Sequence, residues 1–215
     1  MKAMLVDAKA ASLRILALIA VPLASLTCSA QAATLSSEIV AQGNAVDVRF
    51  DAASRETRVS GRIAPGLCYS LSLPEEWRRH AGGEPASLQA VSLRARLDVG
   101  FRSAHDLQGL PQPDLAGRDA AFLQRDYEEF LGRPAQSVSL TSPAPGATRW
   151  SATWIDANLP TPSRSVTVEA LIVPVSNEWV LELSLADVET KQVHDALIPR
   201  ILSGLRVRTG EDCRE

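Results

Sequence analysis

The sequence predicts an α+β domain: a central antiparallel β-sheet flanked by helices. Three observations predict it. Apolar residues recur with a period of two in several short runs, of which 91–101 is the cleanest. Two other runs, 118–131 and 190–205, repeat at helical spacing. Strand-like runs outnumber helical ones and are separated by Gly, Pro and Ser punctuation, the pattern of a sheet covered by helices.

Each element has its own signature. Val46, Val48 and Phe50 alternate with Asp47, Arg49 and Asp51, the mark of a half-buried strand. Ala52 to Glu56 reads as a turn and Thr57 to Ile63 as the returning strand. After Ala64-Pro65-Gly66, Leu67 to Leu73 is another strand, stopped by Pro74. Residues 78–87 read as a loop containing Gly82-Gly83 and Pro85. In 91–101, Val91, Leu93, Ala95, Leu97, Val99 and Phe101 point one way, and Ser92, Arg94, Arg96 and Asp98 the other, which predicts one long strand with a single core face. Leu107 to Ala116, with Pro111 and Pro113, reads as a surface loop. Arg118 to Leu131 is predicted helical, with Leu123, Tyr127, Phe130 and Leu131 at helical spacing and Gly132 and Pro134 ending it.

The second half continues the pattern. Gln136 to Thr141 is a shorter strand and 142–146 a turn. A meander follows over Thr148–Ala157, Ser165–Val175 and Asn177–Ala186. Trp150, Ala152 and Trp154 share a face of its first strand, and Trp179, Leu181, Leu183 and Leu185 a face of its last. An exposed loop at 158–163 and a tight turn at Ser176-Asn177 join the three. Thr190 to Leu205 closes the chain as a helix with an apolar stripe of Val193, Leu197, Ile198, Ile201, Leu202 and Leu205; Pro199 within it predicts a kink or a late start.

The N-terminus predicts the compartment. Residues 1–32 read as a secretory signal peptide: Lys2 and Lys9 supply positive charge, Leu13 to Leu26 is the apolar region, and Ala30-Gln31-Ala32 is a small-x-small cleavage signal. The apolar stretch is too short and interrupted to span a membrane stably, so no anchor is expected after processing. The expected location is periplasmic or secreted. One alternative makes Cys28 a lipidation site, although Ser25 and Thr27 stand where a lipoprotein signal has Leu and a small residue; the other keeps the leader as a membrane anchor, although no second apolar segment follows. Residues 33–45 form a polar lead-in, 46–208 a single domain, and 209–215 a polar tail.

The leader holds three of the 22 basic residues and one of the 25 acids, so the mature chain carries 19 against 24, a net charge of −5. That is no footprint for nucleic acid. Lys191 is the only lysine left, so lysine chemistry would have to use it. Cys68 and Cys213 are the two remaining cysteines; in an oxidising compartment they are expected to pair, the alternative being a buried free Cys68 and a frayed tail.

Short motifs resemble a known family. Tyr69-Ser-Leu-Ser-Leu-Pro74-Glu-Glu-Trp77 is similar to the strand and Pro-x-x-Trp corner near the start of PsbP-like domains. The helix with Tyr127-Glu-Glu-Phe130 resembles their middle helix, and Trp179-Val-Leu-Glu-Leu-Ser-Leu185 followed by a helix resembles their C-terminal half. The resemblance covers Val46 to Val207, with Glu76 where the family often has Gly. It implies an α/β/α sandwich and a non-enzymatic accessory or binding role, and it transfers no catalytic residue.

Catalytic motifs are missing: no Gly-x-Ser-x-Gly, Ser-x-x-Lys, His-Glu-x-x-His, P-loop or dinucleotide fingerprint. No cofactor or metal site is therefore expected. The histidines are His80, His105 and His194; His105-Asp106, in a loop after a strand, is the candidate for a hydrolytic site, and a solvated surface role is the alternative. Trp77, Trp150, Trp154 and Trp179 read either as core or, for Trp150 and Trp154, as an aromatic docking patch. Arg94 and Arg96 read either as an acid-binding pair or as a solvated strand face. The expected function is an exported, non-enzymatic binding or accessory protein of the bacterial envelope, with an envelope protein or a small molecule as partner. The alternatives are an interaction module using the aromatic patch and a secreted hydrolase near His105.

Overall fold

The computed structural model describes residues 46–80, 86–156 and 164–213, without the side chains of 211 and 212. The expected signal peptide, Cys28, the lead-in and the 158–163 loop lie outside the described residues.

The strands form two antiparallel sheets rather than one central sheet. The first contains β1 (Asp47–Asp51), β2 (Glu56–Ala64), β3 (Leu67–Pro74) and β11 (Leu205–Thr209), in the order β1-β2-β3-β11. The second contains β4 (Trp77–Arg79), β5 (Ser87–Ala90), β6 (Arg96–Ser103), β7 (Ser137–Ala144), β8 (Ala147–Ile155), β9 (Ser165–Pro174) and β10 (Trp179–Ala186), in the order β4-β5-β6-β10-β9-β8-β7. Among the described residues, two helices, α1 (Leu115–Leu131) and α2 (Lys191–Gly204), complete a mixed α+β structure.

The chain leaves the first sheet at a tight corner. Glu75 adopts a left-handed φ of 67°. The Trp77 indole donates to the Pro74 carbonyl at 2.8 Å, and the buried Thr57 hydroxyl donates to the Glu75 carbonyl at 2.7 Å while accepting from the Trp77 amide at 2.9 Å. These bonds satisfy main-chain groups that the corner removes from both ladders, so the strand that follows joins a different sheet.

Alternation gives the second sheet two buried faces. Leu97, Val99, Leu171, Leu181 and Leu183 face the first sheet and α2, whose Leu197, Ile198 and Ile201 join the same core. Trp150, Ala152, Trp154, Ala170, Ile172 and Val180 face the opposite way, beneath Leu115, Ala116, Ala120 and Leu123 of α1. α1 begins at Leu115, earlier than its apolar spacing predicts, because the Asp114 carboxylate caps it by accepting from the Gly117 amide at 2.7 Å. Gly132, at φ 67°, ends it as expected.

Four readings of the sequence change. The run 91–101 is not one strand: Ala90 and Ala95 are joined by a main-chain hydrogen bond of 3.0 Å, so β5 and β6 are a hairpin and Val91 lies exposed in its turn. The 78–87 loop contributes the ends of β4 and β5. Leu107, placed in a surface loop, is fully buried in the core beneath α1. The closing helix runs through Pro199, which stands on its exposed side, and stops at Gly204; Leu205 begins β11, because Leu205 and Val207 pair opposite Leu71 and Tyr69 of β3.

Candidate functional site

The seven-stranded sheet forks. β10 pairs with β9 only from Val180 opposite Pro174 to Leu183 opposite Leu171. Beyond that point Ser184–Ala186 stay on β6, opposite Asp98–Arg96. The first half of β9, Ser165–Ala170, stays on β8, opposite Ile155–Trp150. At the crotch the Ser184 hydroxyl donates to the Glu169 carbonyl at 3.0 Å, replacing the ladder bond that a continued pairing would make. The Glu169 carbonyl therefore faces β10. Main-chain direction alternates along a strand, so the peptide groups of Thr167 also turn into the gap.

A cavity of about 600 Å³ occupies this fork, with the Tyr127 ring of α1 on one side of the sheet and the start of α2 on the other. Its charges are paired in two groups. On the α2 side, Arg149 Nη2 lies 2.6 Å from Glu169 Oε2 and its Nη1 lies 3.7 Å from Asp195 Oδ1. His194 bridges the same two acids, with Nε2 3.4 Å from Glu169 and Nδ1 3.4 Å from Asp195. Lys191 Nζ closes on Asp195 Oδ2 at 2.7 Å. Hydrogen bonds from Lys191 and then His194 hold the Asp195 carboxyl below its ordinary range. On the α1 side, Arg96 contacts Asp98 at 3.2 Å and Asp187 at 3.4 Å, and the Ser87 hydroxyl donates to Asp98 at 2.5 Å. Burial, chiefly, raises the Tyr127 phenol.

A third cluster lies under α1. Arg102 Nε donates to Asp119 Oδ1 and to Glu182 Oε1, both at 2.9 Å, and its guanidinium sits 3.9 Å from the Phe122 ring centroid. Asp119 is fully buried and its Oδ2 has no protein partner. Burial first, and the neighbouring Glu182 carboxylate second, push its pKa up to about 7 despite Arg102.

The residues singled out in the sequence scatter. Arg96 lines the cavity, but Arg94 is exposed in the β5–β6 turn, so the two form no joint acid-binding pair. His105 is exposed, and the Asp106 carboxylate beside it accepts from the Ser103 amide at 3.2 Å and hydroxyl at 2.7 Å. Trp150 and Trp154 are 1% and 0% exposed. Tyr127 packs over both, and the Trp154 indole donates to the Arg133 carbonyl at 3.1 Å, so neither ring is available as a docking patch. Trp77 is core, Trp179 packs half-buried against it, and His80 is exposed after β4. Cys68 and Cys213 form a disulfide with Cα atoms 5.7 Å apart, tying the chain end to β3.

Sequence reasoning noted His194 and Lys191 but did not single out Asp195, Arg149, Glu169, Asp98, Tyr127 or Ser184 as site residues. Glu169 carried a signal: it is the one charge inside the apolar run Val166–Val175. Among the described residues, no group of three His, Cys, Asp or Glu side chains is placed to hold a metal ion, and no helix is long and apolar enough to cross a membrane. The fold and the cavity define the chain as an α+β protein of two antiparallel sheets with a forked-sheet cleft. No family model, curated protein or solved structure matches it.

Proposed function

We propose that this is an exported, non-enzymatic binding or accessory protein of the bacterial envelope, built on a PsbP-like plan with helices against both faces of its larger sheet. In this reading the fork between β9 and β10 holds a small polar molecule. The observation that carries it is the 600 Å³ cavity, within the range of small-molecule sites, opened by the parting of two strands that pair normally further along. Such a gap presents main-chain donors and acceptors at its walls, flanked by cations and anions on both sides of the sheet. A ligand bearing both hydrogen-bond donors and acceptors fits that lining. The leader supports export, and the corner at Pro74–Trp77 supports the family resemblance.

The test captures the protein from envelope extract and identifies co-purifying small molecules by mass spectrometry. A polar molecule retained by the wild type and lost from an Arg149→Ala/Glu169→Ala double variant is expected; removing both partners avoids stranding one charge against the other. No retained molecule, or one retained equally by the double variant, would overturn the assignment to this cleft.

A further inference from the structure

Sheet edges invite pairing with another chain, and among the described residues three of the four edges are defended. β4 is three residues long and exposes Arg78 and Arg79. β1 carries Asp47, Arg49 and Asp51, and β11 carries Arg206 and Arg208. Charges and shortness are the usual ways to blunt an edge. β7 has neither. Its eight residues, Ser-Val-Ser-Leu-Thr-Ser-Pro-Ala, include no charge, and its first six are all exposed. Val138 and Leu140 are 49% and 55% exposed, on the face adjoining Ala152 and Trp150. Only its far end is protected, where the register shifts between Thr141 and Ala144 and Pro143 removes a donor.

We propose that β7 is a homodimer interface, pairing antiparallel with β7 of a second copy about a two-fold axis through Ser139. The segment is self-complementary in that register. Val138 meets Leu140 of the other copy and Leu140 meets Val138, giving apolar cross-strand pairs on one face. Ser137 meets Thr141, and Ser139 meets itself, on the opposite face.

The main chain agrees. The Asp156 amide donates to the Arg164 carbonyl at 2.7 Å, so even-numbered residues of β8 face β9. Odd-numbered residues of β8 then face β7, consistent with the Gln136 amide donating to the Thr153 carbonyl at 2.9 Å. Their partners Ser137, Ser139 and Thr141 turn inward, which leaves the N–H and C=O of Val138 and Leu140 directed outward. Those are the residues the two-fold register brings opposite each other, as hydrogen-bonded pairs. The absence of charge selects a neutral occupant, and a second copy supplies an edge of matching length, chemistry and direction.

Light scattering coupled to size exclusion should give twice the chain mass for the wild type and a single-chain mass for Leu140→Lys, with unchanged circular dichroism. Cross-linking tests the register. Antiparallel residues opposed without hydrogen bonds lie ~4.5 Å apart at Cα, within disulfide range. In a Cys28→Ser background, Ser139→Cys should cross-link to itself under mild oxidation. Leu140→Cys, whose opposite number is Val138, should cross-link far more slowly. A single-chain mass for the wild type overturns the proposal. So does a doubled mass that survives Leu140→Lys, or cross-linking of Leu140→Cys as fast as Ser139→Cys.

Discussion

Asp119→Asn should remove a pH dependence from the stability of this protein. The Asp119 side chain is fully buried, one oxygen is held by Arg102 and the other has no protein partner. Its folded pKa is raised to about 7, against an unfolded value of ~3.9. Between those values the folded protein keeps the proton and the unfolded chain has lost it. Stability from this group is therefore full below ~pH 4, falls as pH rises, and has fallen completely above ~pH 7. The steepest slope is ~1.4 kcal/mol per pH unit, and the whole loss is on the order of 4 kcal/mol. Asparagine matches the protonated acid in shape, still accepts from Arg102, and cannot ionise. Urea unfolding followed by tryptophan fluorescence at several pH values gives the difference between variant and wild type. That difference should be near zero at low pH and grow to a few kcal/mol in favour of Asn above ~pH 7. A flat difference, or a wild type that gains on the variant as pH rises, would show that Arg102 keeps Asp119 ionised in the fold and would refute the reasoning.

Three further outcomes are expected. Trp154→Ala should cost about 3–5 kcal/mol in the same urea assay, because it empties a fully buried site under α1 and strands the Arg133 carbonyl; a cost below ~1 kcal/mol would mean that α1 collapses into the space. Cys213→Ser should lower stability by about 2–4 kcal/mol, seen as a lower melting temperature that matches the reduced wild type; the bond spans 145 residues and anchors the end of β11. Gly204→Ala should cost about 1–3 kcal/mol, since the added methyl would run into the Ser72 main chain where α2 meets β3; an unchanged melting curve would place that helix end further from β3.

The fold was legible where burial is one-sided. β2, β3 and the two helices alternate or repeat at their own period; α1 ends at Gly132 as expected, and α2 starts directly after Thr190, whose side chain accepts from the Val193 amide. It was illegible where turn and strand share a pattern. Val91, Leu93 and Ala95 keep the period of β6 although Val91 and Leu93 lie in a turn, because a hairpin turn containing apolar residues looks like more strand. Two sheets were read as one for a related reason. Pro74 announces that β3 stops, but nothing local says that β4 pairs elsewhere; that depends on Thr57, twenty residues upstream, bonding across the corner.

The candidate site was harder still, because a fork is a property of register and not of composition. Each of β9 and β10 reads as an ordinary meander strand. Whether they pair along their full length depends on what each holds on its far side. β10 is committed to β6 through Ala186, and β9 is committed to β8 through Ser165. The two outer pairings diverge, and only the stretch from Leu171 and Leu183 onward, where both strands are buried against the first sheet, keeps them together. Glu169 stands on the next core-facing position after Leu171, with Arg149 as its partner. A carboxylate there cannot join the apolar layer, so the core ends at that point and the strands separate. This makes Glu169 the residue that converts a continuous sheet into a cleft: Glu169→Leu should extend the apolar layer and draw Leu185 toward β9. Hydrogen exchange should then slow at the amides of residues 169 and 185, which the continued register sets opposite each other; exchange as fast as in the wild type would show that the outer pairings alone hold the fork open.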